Sequence, residues 1–309
     1  MSEGKPPLKI SPIRAGGATE VLEIRRIVLN VGADSPFSIL FAADTHLNFW
    51  DVSDFRGNPD KEEFFGRRWV RFPQALNALY ATIDLATSRG LPLIHGGDLL
   101  DWNTRANLEV AVRANLEVAV RAMRGVDWLF AMGNHEYHSS AGATPPLSPA
   151  EAREAVARFS PNLIGVASRT MHGVNFILFD NGQTNLLPET IAGVERELAR
   201  GLPSVLVCHA PPTYTPLFLE NSVAMRREIL LGQGYDAEEI DKLPTPKPVE
   251  PFYDEATLAF YERLRGCGNV KAILCGHTHV GERDRFSDTA DMIVAGGNYE
   301  GHVLEITFT

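Results

Sequence analysis

The sequence predicts an α/β protein with a site at the carboxyl ends of its strands. Three observations carry that prediction: a length of 309 residues, near twice an ordinary domain; an alternation of short apolar runs with amphipathic stretches; and Asp, Asn or His directly after five of those runs. The composition, 44% hydrophobic and 22% charged, is that of an ordinary globular chain. With 39 acidic and 29 basic residues the net charge is −10, which sets long-range electrostatics against a long nucleic acid or an anionic membrane. Cys208, Cys267 and Cys275 lack CxxC spacing, so reduced thiols are expected rather than a disulfide scaffold or a thiolate zinc site. The N-terminus has no apolar core of a secretory signal and no run has the length of a membrane span, so the expected location is the cytoplasm.

Residues 1–18, rich in Pro, Gly and charge, are expected to form a flexible tail before a single domain over 19–309. VLEIRRIVLNV reads as a strand, and FSILFAAD as a strand buried on both faces. Residues 74–89 carry helical periodicity and stop at Gly90; LPLIHGGD is a strand, 105–124 a helix, and DWLFAMGNH a strand running into a loop. This βαβα order implies a mostly parallel sheet. The second half has a more antiparallel character: VNFILFD, helix 189–200, SVLVCH, helix 254–265, VKAILCGH, then the short strands DMIVAG and HVLEITF. Between them the proline-rich stretch 211–251 breaks the rhythm and reads as an inserted lid or cap with a helix over 223–231, the alternative being a disordered excursion. ANLEVAVR occurs in tandem at 106–113 and 114–121, either a short duplication or a cloning artefact.

The residues ending the five runs are Asp44 and His46, Asp98, Asn134 and His135, His209, and His277 and His279. In an α/β sheet such positions converge at one edge although more than two hundred residues separate them. Carboxylate, amide and imidazole donors without thiolate suit Mn, Fe, Zn, Co or Ni. Eight donors exceed what one ion takes while leaving room for a substrate, which favours two divalent metal ions with Asp98 as the bridging carboxylate.

DTH, GDLLD, GNHE, a lone His after a strand, and GHTH, in that order over 44–279, resemble the five motifs of the calcineurin-like metallophosphoesterase superfamily. The resemblance implies a four-layer α/β/β/α sandwich with a dinuclear centre. It places Asp44, His46 and His279 on one metal and Asn134, His209 and His277 on the other, with Asp98 bridging. It leaves His135 to face the substrate together with Asn134 and to protonate the leaving oxygen, while a metal-bridging water attacks phosphorus in line. Asp101 resembles the carboxylate that pairs with this histidine. The protein Ser/Thr phosphatases have an Arg directly after that Asp, and here the position is Trp102. The expected function is hydrolysis of a phosphoric ester, a phosphodiesterase on a small phosphate-ester substrate. A phosphomonoesterase and a non-catalytic metal-binding scaffold are the alternatives.

Other residues have plainer readings. His95 reads as a hydrogen-bonded core histidine, His172 and His302 as surface or strand positions, and Cys208 and Cys275 as buried packing thiols. RRWVRF at 67–72 offers arginines beside aromatics, as a phosphate site would, but reads rather as a solvated helix face.

Overall fold

The computed structural model describes residues 22–50, 65–66, 68–122, 127–138, 147–183, 185–212 and 253–309. The expected tail, and the expected cap beyond Pro212 with its helix at 223–231, lie outside the described residues. Two sheets form. The first has the order β1-β11-β2-β3-β4, with β1 Glu23–Leu29, β2 Phe37–Ala42, β3 Leu93–His95, β4 Trp128–Phe130 and β11 His302–Phe308. The second has the order β5-β6-β7-β8-β10-β9, with β5 Val166–Met171, β6 Val174–Phe179, β7 Ser204–Val207, β8 Val270–Cys275, β9 Glu282–Arg285 and β10 Asp291–Val294. The helices are α1 Ala75–Arg89, α2 Arg105–Ala122, α3 Pro149–Val156, α4 Pro188–Leu198 and α5 Glu255–Arg265.

The four layers follow from the period of two along each strand. In β6, Phe176 and Leu178 point into the core between the sheets, whereas Ile177 and Phe179 pack under α4 and α5 with Val194, Phe260 and Leu264. Neighbouring β7 and β8 do the same: Val205, Val207, Ala272 and Leu274 face inward, Leu206 and Ile273 outward. In the first sheet Ile39, Phe41 and Ile94 meet the opposite sheet, while Leu40 and Leu93 join Leu79, Ile83, Leu108 and Phe159 on the helix side. A strand buried on both faces needs an unbroken apolar run, which is why these segments show no alternation.

Parallel pairing dominates where the site lies: β2, β3 and β4 are parallel, and so are β6, β7, β8 and β10. In the second sheet antiparallel pairs occur only at the edges, β5 on β6 and β9 on β10. The hairpin between β5 and β6 turns through His172 and Gly173, both at positive φ (48° and 80°), as a two-residue turn of the I′ kind requires. Helix ends obey local chemistry. Gly90 closes α1 in the left-handed region, Ser148 and Glu151 form a reciprocal capping box on α3, and Asp254 accepts the Thr257 N–H at the start of α5. Helix α2 spans both copies of the tandem octapeptide as one helix.

Candidate metal centre

The seven expected ligands and His135 sit just past the carboxyl ends of strands: Asp44 and His46 after β2, Asp98 after β3, Asn134 and His135 after β4, His209 after β7, and His277 and His279 after β8. The two sheets therefore bring all eight to one rim. Sharp turns do the aiming. Six non-glycine residues among those described have positive φ; five are Asp44, His46, Asp98, His277 and His279, the sixth being the hairpin His172. A left-handed L residue costs roughly 1–2 kcal/mol, and this strain is concentrated on five candidate ligands, as at a functional rim. Glycines give the room: a Cβ on Gly133 would overlap the Asp98 carboxylate, and one on Gly276 would overlap Asp44.

Among the described residues three groups have donor atoms within 4.8 Å of one another: Asp44, His46 and His279; Asp98, His209 and His277; and His46, Asp101 and His135. The first two are made wholly of expected ligands, and the third shares His46 with the first. Asn134 Oδ1 joins the second group, 3.1 Å from His209 Nε2 and 3.0 Å from His277 Nδ1. Asp98 Oδ2 lies 3.1 Å from His209 Nε2 and 3.8 Å from His46 Nε2, so one carboxylate reaches both groups. The Nε2 atoms of His46 and His279 are 2.9 Å apart. His46 donates its Nδ1–H to the Asp101 carboxylate (3.2 Å) and His209 its Nδ1–H to the Gly96 carbonyl (2.9 Å), which turns both Nε2 atoms inward. Lone pairs and carboxylates facing one another across such distances are the donor set that a divalent cation satisfies.

The imidazoles differ in charge. Burial pushes His46 down to about 3 and His277 down to about 4. His209 is buried too, but the carboxylates of Asp98 and Asp44 outweigh burial and push it up to about 10. Burial opposes ionisation of Asp98, yet His209 and His135 hold its carboxyl well below the usual range.

Several residues that support the site were not singled out for it in the sequence. Glu136, fully buried, accepts the backbone N–H groups of Gly133 (2.8 Å), Leu100 (2.9 Å) and Asp98 (3.1 Å), stitching the loop after β3 to the loop after β4. Tyr299, in the 3₁₀ turn Asn298–Glu300, places its hydroxyl 3.3 Å from His279 Nδ1. Asn298 accepts from the Thr45 hydroxyl at 2.9 Å, and Thr45 lies between two ligands. Because the Thr45 proton is used there, His95 Nε2–H must donate to Thr45 at 2.8 Å, so His95 is the hydrogen-bonded core histidine expected, pushed down to about 4 by burial. The only sequence signal for Glu136 was its place in GNHE; for Asn298 and Tyr299 there was none.

Two expectations change in detail. Asp101 does not turn its carboxylate primarily to His135: the carboxylate binds His46 and, through both oxygens, Arg68, while its backbone carbonyl takes the His135 Nδ1–H. Its closest carboxylate approach to His135 Nδ1 is 3.5 Å. The stretch 67–72 is a solvated face only in part. Trp69 and Val70 are exposed, but Arg68, four residues before buried Phe72, points inward. His138 meets Trp102 edge-on beside the site, and Cys208 and Cys275 are buried as expected.

The calcineurin-like phosphoesterase family pattern matches residues 37–281, most of the chain, and the chain belongs to that family. It is accordingly a metal-dependent phosphoric ester hydrolase of a dimetal family. No curated protein matches the sequence. Solved structures with similar chains include a dimetal phosphatase of Danio rerio (12% identity, covering 85% of this chain and 88% of that one, TM-score 0.46). A calcineurin-like phosphoesterase of Bacillus subtilis, YfkN, has 10% identity, coverage of 87% and 83%, and a TM-score of 0.40. A 5′-nucleotidase of Candida albicans has 14% identity over 89% of this chain but only 47% of its own length, with a TM-score of 0.38.

Proposed function

We propose that this chain is a phosphodiesterase acting on a small soluble phosphate ester in the cytoplasm, with Asp44, His46 and His279 holding one divalent ion, Asn134, His209 and His277 the second, and Asp98 shared. Mn, Fe, Zn, Co or Ni would suit these ligands, and the ions would supply Lewis acidity and an acidified water. The protein's own part is the proton. His135 keeps Nδ1 protonated against the Asp101 carbonyl, so Nε2 is the atom free to give a proton to the leaving oxygen. Its side chain is 18% exposed, enough to meet a substrate, and Nε2 lies 4.0 Å from Asp98 Oδ2 at the edge of the ligand groups.

The observation that favours a diester is the wall beside His135. Trp102 packs its ring 4.6 Å from the imidazole, and the neighbouring guanidinium of Arg68 is already engaged by Asp101. An apolar wall suits a monoanionic diester carrying a second organic group, whereas a dianionic monoester calls for additional positive charge at that place. The test is hydrolysis of bis-p-nitrophenyl phosphate and p-nitrophenyl phosphate by metal-stripped protein resupplied with Mn²⁺. Faster, metal-dependent turnover of the diester is expected. Faster monoester turnover would replace the reading with a phosphomonoesterase, and absence of both with two ions bound would favour a scaffold.

A further inference from the structure

Arg68 comes from a segment remote from every ligand-bearing loop, yet it is tied to the centre from two directions. Its Nε donates to Asp101 Oδ2 at 2.9 Å and its Nη2 to Asp101 Oδ1, the same oxygen that accepts His46 Nδ1–H at 3.2 Å. Its guanidinium also lies 4.6 Å from the centre of the Phe72 ring, and Phe72 in turn stacks on the His46 imidazole at 4.8 Å with the planes 9° apart. Asp101 is fully buried and the Arg68 side chain 14% exposed. His46 is thus gripped along its edge by Asp101 and over its face by Phe72, and Arg68 bears on both.

We propose that Arg68 is a positioning residue of the metal centre, acting through Asp101 and Phe72 to hold His46 with its Nε2 lone pair aimed at His279 and Asp98. A buried carboxylate needs a partner of opposite charge. With Arg68 in place, both Asp101 oxygens are fixed in one plane by a fork that lysine cannot reproduce. Without it, the carboxylate is free to swing toward His135 Nδ1, 3.5 Å away, and His46 loses the acceptor that holds its tautomer. Loss of such an outer partner typically weakens metal binding by about 10–100-fold. The effect falls on one ion only, because the Asp98, His209, His277 and Asn134 group has no contact with Arg68 among the described residues.

This inference rests on the reading of Asp44, His46 and His279 as one ion's ligands, and the experiment separates the two. Metal-stripped parent protein, Arg68→Ala and Arg68→Lys are titrated with Mn²⁺, free ion being counted by electron paramagnetic resonance. Two ions are expected on the parent. On Arg68→Ala one is weakened by about 10–100-fold and the other unchanged; millimolar guanidinium restores it where the same concentration of sodium does not; Arg68→Lys falls between. KM for the diester stays at the parent value while kcat falls at limiting Mn²⁺. Mn²⁺ titrations of either folded variant that match the parent would overturn the proposal. So would a rise in KM with both ions held normally, which would make Arg68 a phosphate ligand. A parent that binds no Mn²⁺ would instead overturn the metal reading beneath it. Should Arg68→Ala not fold, Arg68→Lys decides alone, since it keeps the charge and removes the fork.

Discussion

His135 differs from its neighbours in where its ring nitrogens point. The ligand histidines are fully or nearly buried and turn a nitrogen toward Asp44, Asp98 or Asn134, whereas His135 commits Nδ1 to a backbone carbonyl and keeps Nε2 at the open side. Its hydrogen bond to Asp98 is made by the backbone N–H, at 2.9 Å, and survives removal of the imidazole, whose Nε2 stays 4.0 Å from that carboxylate. His135→Ala is therefore expected to keep two bound Mn²⁺ and to lose about 10²–10⁴-fold in kcat on a diester with a poor leaving group. The loss should shrink for p-nitrophenyl esters, whose leaving group needs little protonation. Equal losses for both kinds of ester would refute the role of proton donor.

At the scale of elements, the rim is made of loops that hold one another. The segment after β2 runs beside the segment after β3, with Asp44 N–H on the Gly97 carbonyl, His46 N–H on that of Asp98 and Leu47 N–H on that of Leu99. Glu136 then joins the β3 loop to the β4 loop through three N–H groups. Burial, with Asp98 adding to it, pushes Glu136 up to about 8, and both of its oxygens keep acceptor lone pairs in either protonation state. An amide has an acceptor on one side only. Glu136→Gln should thus leave at least one of these buried N–H groups unsatisfied and lower stability by about 1–3 kcal/mol. Urea unfolding of the metal-free protein measures this, and a midpoint equal to the parent's would disprove the clamp.

At the scale of the whole molecule, the buried rim makes stability depend on pH and on metal together. Burial holds His46, His95 and His277 at about 3, 4 and 4, below the ordinary 6.5, so the folded chain binds fewer protons there than the unfolded one. Their contribution is complete above about 6.5 and is lost as pH falls toward 4. His209 behaves oppositely: burial lowers it but Asp98 and Asp44 raise it to about 10, so its contribution is complete below about 6.5 and is lost as pH rises toward 10. The Tm of metal-stripped protein should therefore pass through a maximum near neutrality. If His209 holds a metal it would have to give up its proton, so added Mn²⁺ should lift the alkaline side most. A Tm that stays level from pH 6.5 down to 4 would contradict the acid limb.

The α/β class, the main strands and the candidate ligands can be read without coordinates, because a doubly buried strand demands a continuous apolar run and its carboxyl end announces itself by abrupt polarity. FSILFA before Asp44 and AILC before His277 are visible without any coordinates. The edge strands of the second sheet were not legible: β5 and all-charged β9 present too little apolar pattern, β9 being tied to β10 also by Arg283 and Arg285 on Asp291. Local signals for α3 are present in Ser148, Pro149 and Glu151, but the elements expected from the sequence include no helix there. Which distant residues serve the site is visible only in the folded chain. Tyr299 reaches His279 and Asn298 reaches Thr45 because β11, which they precede, returns between β1 and β2, and Arg68 reaches Asp101 from the segment before α1. Such partners are chosen by packing across the whole chain, and packing leaves no periodic trace in the sequence around them.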